Sequence, residues 1–208
     1  MSVWGRIVAV AYDHFMAGTE RAGLAKHRDR LLQTATDRVL EIGGGTGANL
    51  AFYTNGVTEL VIAEPEEAMA RRLERKLRGY RIPTRVFLAT AEQLPLKPES
   101  FDYVVSTLVL CTVRDPAGAL AEVRRVLKSH GQLLLIEHVR SDDPKLACWQ
   151  DRLRRPWSWF GHGCQCNRDT VENIRAAGFS TSELRRDNQP KVLPIVRPLV
   201  IGAAKRNG

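Results

Sequence analysis

The sequence predicts an α/β fold, a seven-stranded sheet that is mostly parallel and has helices on both faces. Three observations predict it. Short apolar runs alternate with segments of helical periodicity through the centre of the chain, the pattern of strands joined by crossover helices. The first run empties into a glycine cluster, as strands do where they bring backbone against a ligand. The last two runs are joined without a helical segment, so they must lie antiparallel.

Taken in order, residues 3–32 read as one or two helices, with Trp4, Ile7, Ala11 and Phe15 on one face. RVLEI (38–42) is the first strand and ELVIA (59–63) the second. Pro65, Glu66 and Glu67 then open a helix, with proline and acids where a first turn favours them. That helix turns Met69, Leu73 and Leu77 inward and ends near Gly79. TRVFLA (84–89) and FDYVVS (101–106) are the third and fourth strands. Asp115 and Pro116 supply the cap and first position of a helix that carries Leu120, Val123 and Leu127 inward and stops at Gly131. QLLLIEHV (132–139) is the fifth strand, and residues 143–166 form an irregular aromatic-rich insert. Asp169 and Glu172 are spaced as a capping box for a helix ending at Gly178. TSELRRD (181–187) and LVIGAAK (199–205) complete the sheet. The chain thus reads as one domain over 1–208: a helical N-terminal segment (1–34), a core (36–140), the insert (143–166) and a C-terminal helix with a strand pair (167–208).

Composition narrows the function classes. With 208 residues, 44% hydrophobic and 26% charged, the chain is an ordinary globular sequence, neither disordered nor fibrous. No apolar run approaches the ~18 residues of a membrane span, and Arg6 and Asp13 interrupt the start, which lacks a cleavage signature. Cys111, Cys148, Cys164 and Cys166 are few for this length, so reduced thiols and a cytoplasmic location are expected. The net charge is +8, but Arg71, Arg72, Arg75, Lys76 and Arg78 fall on the solvated side of one helix. A basic surface is therefore expected rather than nucleic-acid binding. The expected partners are a small-molecule substrate and at most a second copy of the chain, with no nucleic acid and no membrane.

In an open α/β sheet ligands bind beyond the carboxyl ends of the strands. Glu41 and Gly43-Gly44-Gly45-Thr46-Gly47 follow the first strand. Glu64 ends the second, within 22 residues of each glycine, where an acid can accept both hydroxyls of a ribose. Ala91 and Glu92 follow the third strand, Thr107 and Leu108 the fourth, and Glu137 and His138 close the fifth. Gly43, Gly45 and Ala48 also satisfy the dinucleotide pattern G-x-G-x-x-G/A. Glu41 argues against a dinucleotide, since a carboxylate there repels a pyrophosphate and suits an ammonium or sulfonium. The antiparallel final pair argues the same way. A cationic adenosine cofactor is expected.

The stretches VLEIGGGTGANL, VIAEP, ATAEQLPLKPESFDYVVSTLVLCTV and PAGALAEVRRVLKSHGQLLLIEH, spanning about residues 36–140, resemble class I S-adenosylmethionine-dependent methyltransferases of the ubiquinone-biosynthesis type. The resemblance implies a Rossmann-like seven-stranded sheet whose last strand is inserted antiparallel, and S-adenosylmethionine as cofactor. It implies that Glu41 and Gly43, Gly44, Gly45 and Gly47 flank the methionine part, and that Glu64 binds the ribose with Pro65 packed near it. Ala91 and Glu92 would border the adenine, and Thr107 and Leu108 would back the methionine moiety. Tyr12 and His14 belong to an N-terminal lid by the same comparison. Glu41 and Gly44 depart from the commoner Asp and Gly-Cys-Gly forms. The tail, with GCQCNRDT (163–170), ENIRAAGF and VRPLVIGAAK, is similar to methyltransferase-like proteins whose animal members methylate thiols. Those members carry a hydrophobic N-terminal anchor that is not expected here.

Methyl transfer is an in-line displacement, so the protein mainly aligns nucleophile and donor. A hydroxyl must also lose its proton, whereas a thiol is partly ionised near neutral pH. His138, His14 and Glu137 are the candidate catalytic residues, and the two histidines are the candidate bases. Asp142 and Asp143 with Glu137 could hold a hard cation, but adjacent acids before Pro144 more often begin a turn. His162, Cys164 and Cys166 lack the two-to-four-residue gap of zinc ligands, and no metal is expected. Trp149, Trp157, Trp159 and Phe160, with Arg152, Arg154 and Arg155, sit in the insert that the family places over the substrate mouth. They suggest a polar or anionic substrate, or else bury the insert against the N-terminal helices. The leading expectation is O-methylation of a hydroxyl, a saccharide being one example, with thiol S-methylation as the alternative. A non-enzymatic RNA- or nucleotide-binding module on the same fold is the third reading. Ser106-Thr107-Leu108-Val109 stands where amine-directed nucleic-acid methyltransferases carry an Asn/Asp-Pro-Pro-aromatic turn, which disfavours methylation of bases.

Overall fold

A computed structural model describes residues 18–207. A π-helical turn (Glu20–Leu24) leads into α1 (Ala25–Leu32). The chain continues through β1 (Asp37–Ile42), β2 (Val57–Ala63), α2 (Glu67–Lys76), β3 (Thr84–Phe87), β4 (Phe101–Thr107), α3 (Pro116–Val126) and β5 (Leu127–His138). It ends with α4 (Pro144–Phe160), α5 (Thr170–Ala176), β6 (Phe179–Asn188), a 3₁₀ turn (Pro194–Val196) and β7 (Pro198–Arg206). The seven strands lie in the order β3-β2-β1-β4-β5-β7-β6. All neighbours are parallel except β7, which runs antiparallel to both β5 and β6. The strand order reverses between β1 and β4, so the carboxyl ends of β1, β2 and β4 splay around a common crevice.

Two-residue periodicity sorts the strands' side chains onto two cores. Leu40, Ile42, Val61, Val104, Leu133 and Leu135 face α3 and α5, packing on Leu120, Val123 and Ile174. Val39, Leu60, Ile62, Val105, Leu134 and Ile136 face α1 and α2, packing on Leu31, Leu32 and Leu73. Strands covered on both faces read as unbroken apolar runs, which is why they are legible in sequence.

Two elements differ from expectation. The helix after Pro116 stops at Val126 and not at Gly131. The carbonyls of Arg125 and Val126 accept hydrogen bonds from the N–H groups of Glu99 and Ser100 (2.9 and 2.8 Å), and Leu127 pairs with Phe101 as the first residue of β5. Tertiary pairing thus overrides a local stop signal. The expected irregular insert is instead the 17-residue helix α4. Asp143 caps it by accepting from the Lys145 N–H (2.9 Å), Pro144 occupies the first position, and Pro156 is accommodated near its end. Of the capping box at α5, the Asp169 half is made, with its carboxylate accepting from the Glu172 N–H. Among the described residues no helix is long and apolar enough to cross a membrane. The expected lid residues Tyr12 and His14 lie outside the described residues, as does the face formed by Trp4, Ile7, Ala11 and Phe15.

Candidate active site

A cleft of about 1780 Å³ opens at the strand ends where the order reverses. Gly43, Gly45, Glu64, Pro65, Ala91, Glu92, Thr107 and Leu108 all line it, although they come from four separate loops. Glu41, Gly44 and Gly47 are not among its lining residues. The glycine loop explains that division. Gly44 lies so close to β2 that a Cβ there would meet Ile62 Cγ2 at 2.2 Å, so it seals the loop against the sheet. Gly45, with φ of 54°, has no atom within 4 Å of a Cβ position and turns its open side outward.

Glu64 organises this corner. It is 4% exposed, and its carboxylate accepts from the N–H of Gly45 (2.7 Å) and of Glu66 (2.9 Å). Burial pushes its pKa up, and the two backbone donors oppose that shift. The same carboxylate therefore bridges the glycine loop to the start of α2. Glu92 does similar work on the far wall, accepting from the N–H groups of Arg114 (3.0 Å) and Asp115 (3.4 Å).

Glu41 sits beneath the loop, 2% exposed. Its oxygens accept from Tyr53 Oη (2.8 Å) and Asn49 Nδ2 (3.0 Å). Arg28, itself buried, donates to Asn49 Oδ1 (2.5 Å) and Thr107 Oγ1 (2.9 Å), and pairs with Glu20 at 3.0 Å. This network ties α1 to the ends of β1 and β4. Glu41, expected from the resemblance to flank the methionine part, thus lies beneath the glycine loop and outside the cleft lining. Burial raises the Glu41 pKa to about 7 despite the opposing donors. The folded state then holds a proton that the unfolded state releases near pH 4.5, so stability falls as pH rises from about 4.5 to 7. Glu41→Gln is expected to remove that fall. In urea titrations the wild type should lose about 2 kcal/mol more than the variant between pH 5 and 8; parallel profiles would contradict this assignment.

Glu137 and His138 end β5 but do not line the cleft. Glu137 is fully buried. Its carboxylate accepts from Ser106 Oγ (2.6 Å) and from the N–H groups of Val109 (2.9 Å), Leu110 (3.0 Å) and Cys111 (3.1 Å). It shapes the loop after β4, where Leu108 adopts a left-handed φ of 61° at the cleft surface. His138 Nδ1 lies 3.5 Å from Cys164 Sγ, away from the expected place of a base facing substrate.

Helix α4 divides its side chains three ways. Arg154, Arg155 and Ser158 line the cleft. Gln150 is fully buried; its Nε2 lies 2.9–3.1 Å from the carbonyls of Val139, Cys166 and Ile195, and its Oε1 accepts from the Ser141 N–H. Trp149, Trp159 and Phe160 stand 54%, 80% and 70% exposed outside the cleft. The insert's aromatic set, expected either to meet a polar substrate or to bury the insert, is therefore split by helical geometry: Trp157 packs against the buried cluster of Cys111, Cys164 and Ile195, while the arginines line the cleft. Both signs of charge line the cleft: Glu64, Glu66, Glu92 and Asp115, with Arg114 beside the last, lie on the side of β2, β3 and the start of α3, while Arg154, Arg155 and Arg168 come from α4 and the segment after it.

Residues 40–135 match the family model described as a methyltransferase domain. The chain is 37% identical over 171 residues to rat thiol S-methyltransferase TMT1B, covering 80% of this chain and 69% of that one. It is 30% identical over 199 residues to human thiol S-methyltransferase TMT1A, covering 94% and 81%. This chain is a class I S-adenosylmethionine-dependent methyltransferase. Among solved structures, a methyltransferase from Thermotoga maritima superposes with a TM-score of 0.71 at 24% identity, covering 97% of this chain and 98% of that one. At that identity it supports the fold alone.

The cofactor of this methyltransferase is S-adenosylmethionine, and the cleft fits it. The open side of Gly45, where a Cβ would meet no atom within 4 Å, adjoins the buried, doubly hydrogen-bonded Glu64, and the carboxylates of Glu64, Glu66 and Glu92 at the cleft suit a cation. Several residues that build the methyltransferase site lie outside the motifs: Arg28, Tyr53 and Gln150 act through contacts between residues distant in sequence, as does Asn49 at the end of the glycine stretch. Arg168 is another. Its half-buried guanidinium donates to the carbonyls of Leu110 and Val113 (3.1 Å to the latter), tying the segment after α4 to the loop after β4.

Proposed function

We propose that this enzyme transfers a methyl group to the sulfur of a small thiol, reversing the order of the two readings expected from sequence. One observation carries the proposal: the relatives that share 30–37% identity over 80–94% of the chain are named thiol S-methyltransferases. The site supports it. Neither His138 nor Glu137 lines the cleft, and a thiol needs little help to ionise, its reference pKa of ~8.5 lying far below that of an alcohol.

In this reading Glu64 holds the ribose, Gly43 and Gly45 approach the methionine part, Ala91 and Glu92 border the adenine, and Thr107 and Leu108 back the sulfonium. Bound S-adenosylmethionine supplies the electrophilic methyl. Arg154, Arg155 and Arg168 provide a positive field that favours a thiolate in the cleft. The cleft would hold the thiolate beside the methyl that the sulfonium would give up, the carbon–sulfonium bond breaking as the new carbon–sulfur bond formed. The products are a thioether and S-adenosylhomocysteine, and the thiol proton has already passed to solvent. Apolar Leu108, Val109 and Val113 complete the walls and exclude water. Four free cysteines suit a reducing cytoplasm.

A panel of small thiols, phenols and sugars offered with methyl-labelled donor tests the proposal. Label is expected in thioethers only, with kcat/KM rising about tenfold per pH unit below the substrate thiol's pKa. Label confined to hydroxyl oxygens would restore the O-methylation reading.

A further inference from the structure

Cys111, His138 and Cys164 come from three separate segments: the loop after β4, the last residue of β5 and the loop after α4. The fold gathers them so that their two sulfurs and one imidazole nitrogen all lie within 4.8 Å of one another. Cys164 Sγ to His138 Nδ1 measures 3.5 Å. A tetrahedral zinc ion with bonds of about 2.3 Å to sulfur and about 2.0 Å to nitrogen requires donor separations of about 3.5–3.8 Å. The cluster therefore already has nearly the dimensions of a zinc site. We propose that Cys111, Cys164 and His138 bind one zinc ion at the wall of the active-site cleft.

The surroundings are built for it. The Cys111 carbonyl accepts from the Gln165 N–H (2.8 Å), and the Cys111 N–H donates to Glu137, the residue beside His138. These bonds hold the three donor segments together, giving a preorganised set of ligands. Both cysteines are buried, at 1% and 5% exposure, and neither is in a disulfide. The Trp157 N–H is buried without an oxygen or nitrogen acceptor. A bare thiolate in such a site is costly, whereas zinc with two thiolates and a neutral imidazole carries no net charge. Thiolate and imidazole donors together select zinc among the common divalent ions. Cys166 and His162, which stand beside Cys164 in sequence, are not part of the cluster. Three protein donors leave one tetrahedral position open. The chain neighbours of the two cysteines, Thr112, Gly163 and Gln165, line the cleft, so the ion braces its wall.

The test uses the full chain, reduced and stripped of metal by a chelator, then titrated with Co²⁺ and with Zn²⁺. One equivalent of Co²⁺ should produce the intense near-ultraviolet band of sulfur-to-cobalt charge transfer and the visible bands of a tetrahedral ion, and Zn²⁺ should abolish both. Cys111→Ser and Cys164→Ser should each weaken binding 100-fold or more, while Cys148→Ser and Cys166→Ser bind as wild type, with circular dichroism confirming that each variant is folded. The proposal is overturned by wild-type protein that takes up no Co²⁺, or by uptake that survives both Cys111→Ser and Cys164→Ser. Isolation as a Cys111–Cys164 disulfide that, once reduced, still binds no metal would also overturn it.

Discussion

Glu137→Ala is expected to cost the fold about 4 kcal/mol and to lower Tm by about 10 °C. The wild-type carboxylate is wholly buried, and burial pushes its pKa up while four donors pull against that shift. Three of those donors are backbone N–H groups, of Val109, Leu110 and Cys111, and the fourth is the Ser106 hydroxyl. Alanine leaves all four in an apolar interior with nothing to accept them, and each buried orphan costs about 1–3 kcal/mol before relaxation. Partial collapse and entry of water reduce the sum. The loop that loses its anchor carries the strained Leu108 and lines the cleft, so cofactor affinity should fall along with stability. The conservative variant Glu137→Gln retains one acceptor oxygen and should lose about half as much. Thermal unfolding monitored by circular dichroism checks this; a Tm within about 2 °C of wild type for the alanine variant would show that the loop does not depend on Glu137.

The fold is legible in sequence because its strands are covered on both faces. LVIA (60–63) and QLLLIEH (132–138) have few alternatives as apolar runs of strand length, and glycine or acidic residues mark where each run ends. The antiparallel ending is legible from the missing helix between residues 188 and 198. Helix α4 is not, because Trp and Arg at irregular intervals conceal its periodicity: it presents three faces, one to the core through Gln150, one to the cleft through Arg154, and one outward through Trp159. At the site, topology alone brings the strand-end positions Gly45, Glu64 and Thr107 to one crevice, which makes their convergence legible in sequence. The partners a side chain finds are harder to read. Glu41 and Glu64 are both acids at the ends of neighbouring strands, yet one turns under the glycine loop toward Tyr53 and the other lines the cleft. The pairing of Cys111 with Cys164 lies beyond sequence reading for the same reason, since 53 residues separate them and no local spacing records the contact.

The cofactor cradle makes Glu64 the side chain on which the account most depends. Its carboxylate is poised between the glycine loop and α2, where the ribose hydroxyls of the donor are proposed to lie. Hydrogen bonds to an ionised group contribute about 1.5–3 kcal/mol each, and Glu64→Ala removes this acceptor while also releasing the Gly45 N–H. Losing about 2.7 kcal/mol is a 100-fold change in affinity. Titration calorimetry with S-adenosylhomocysteine, which binds without turnover, measures this directly against the wild type. A Kd weakened about 100-fold in a variant that remains folded is the predicted result; an affinity within twofold of wild type would contradict the placement of the cofactor at the ends of β1 and β2.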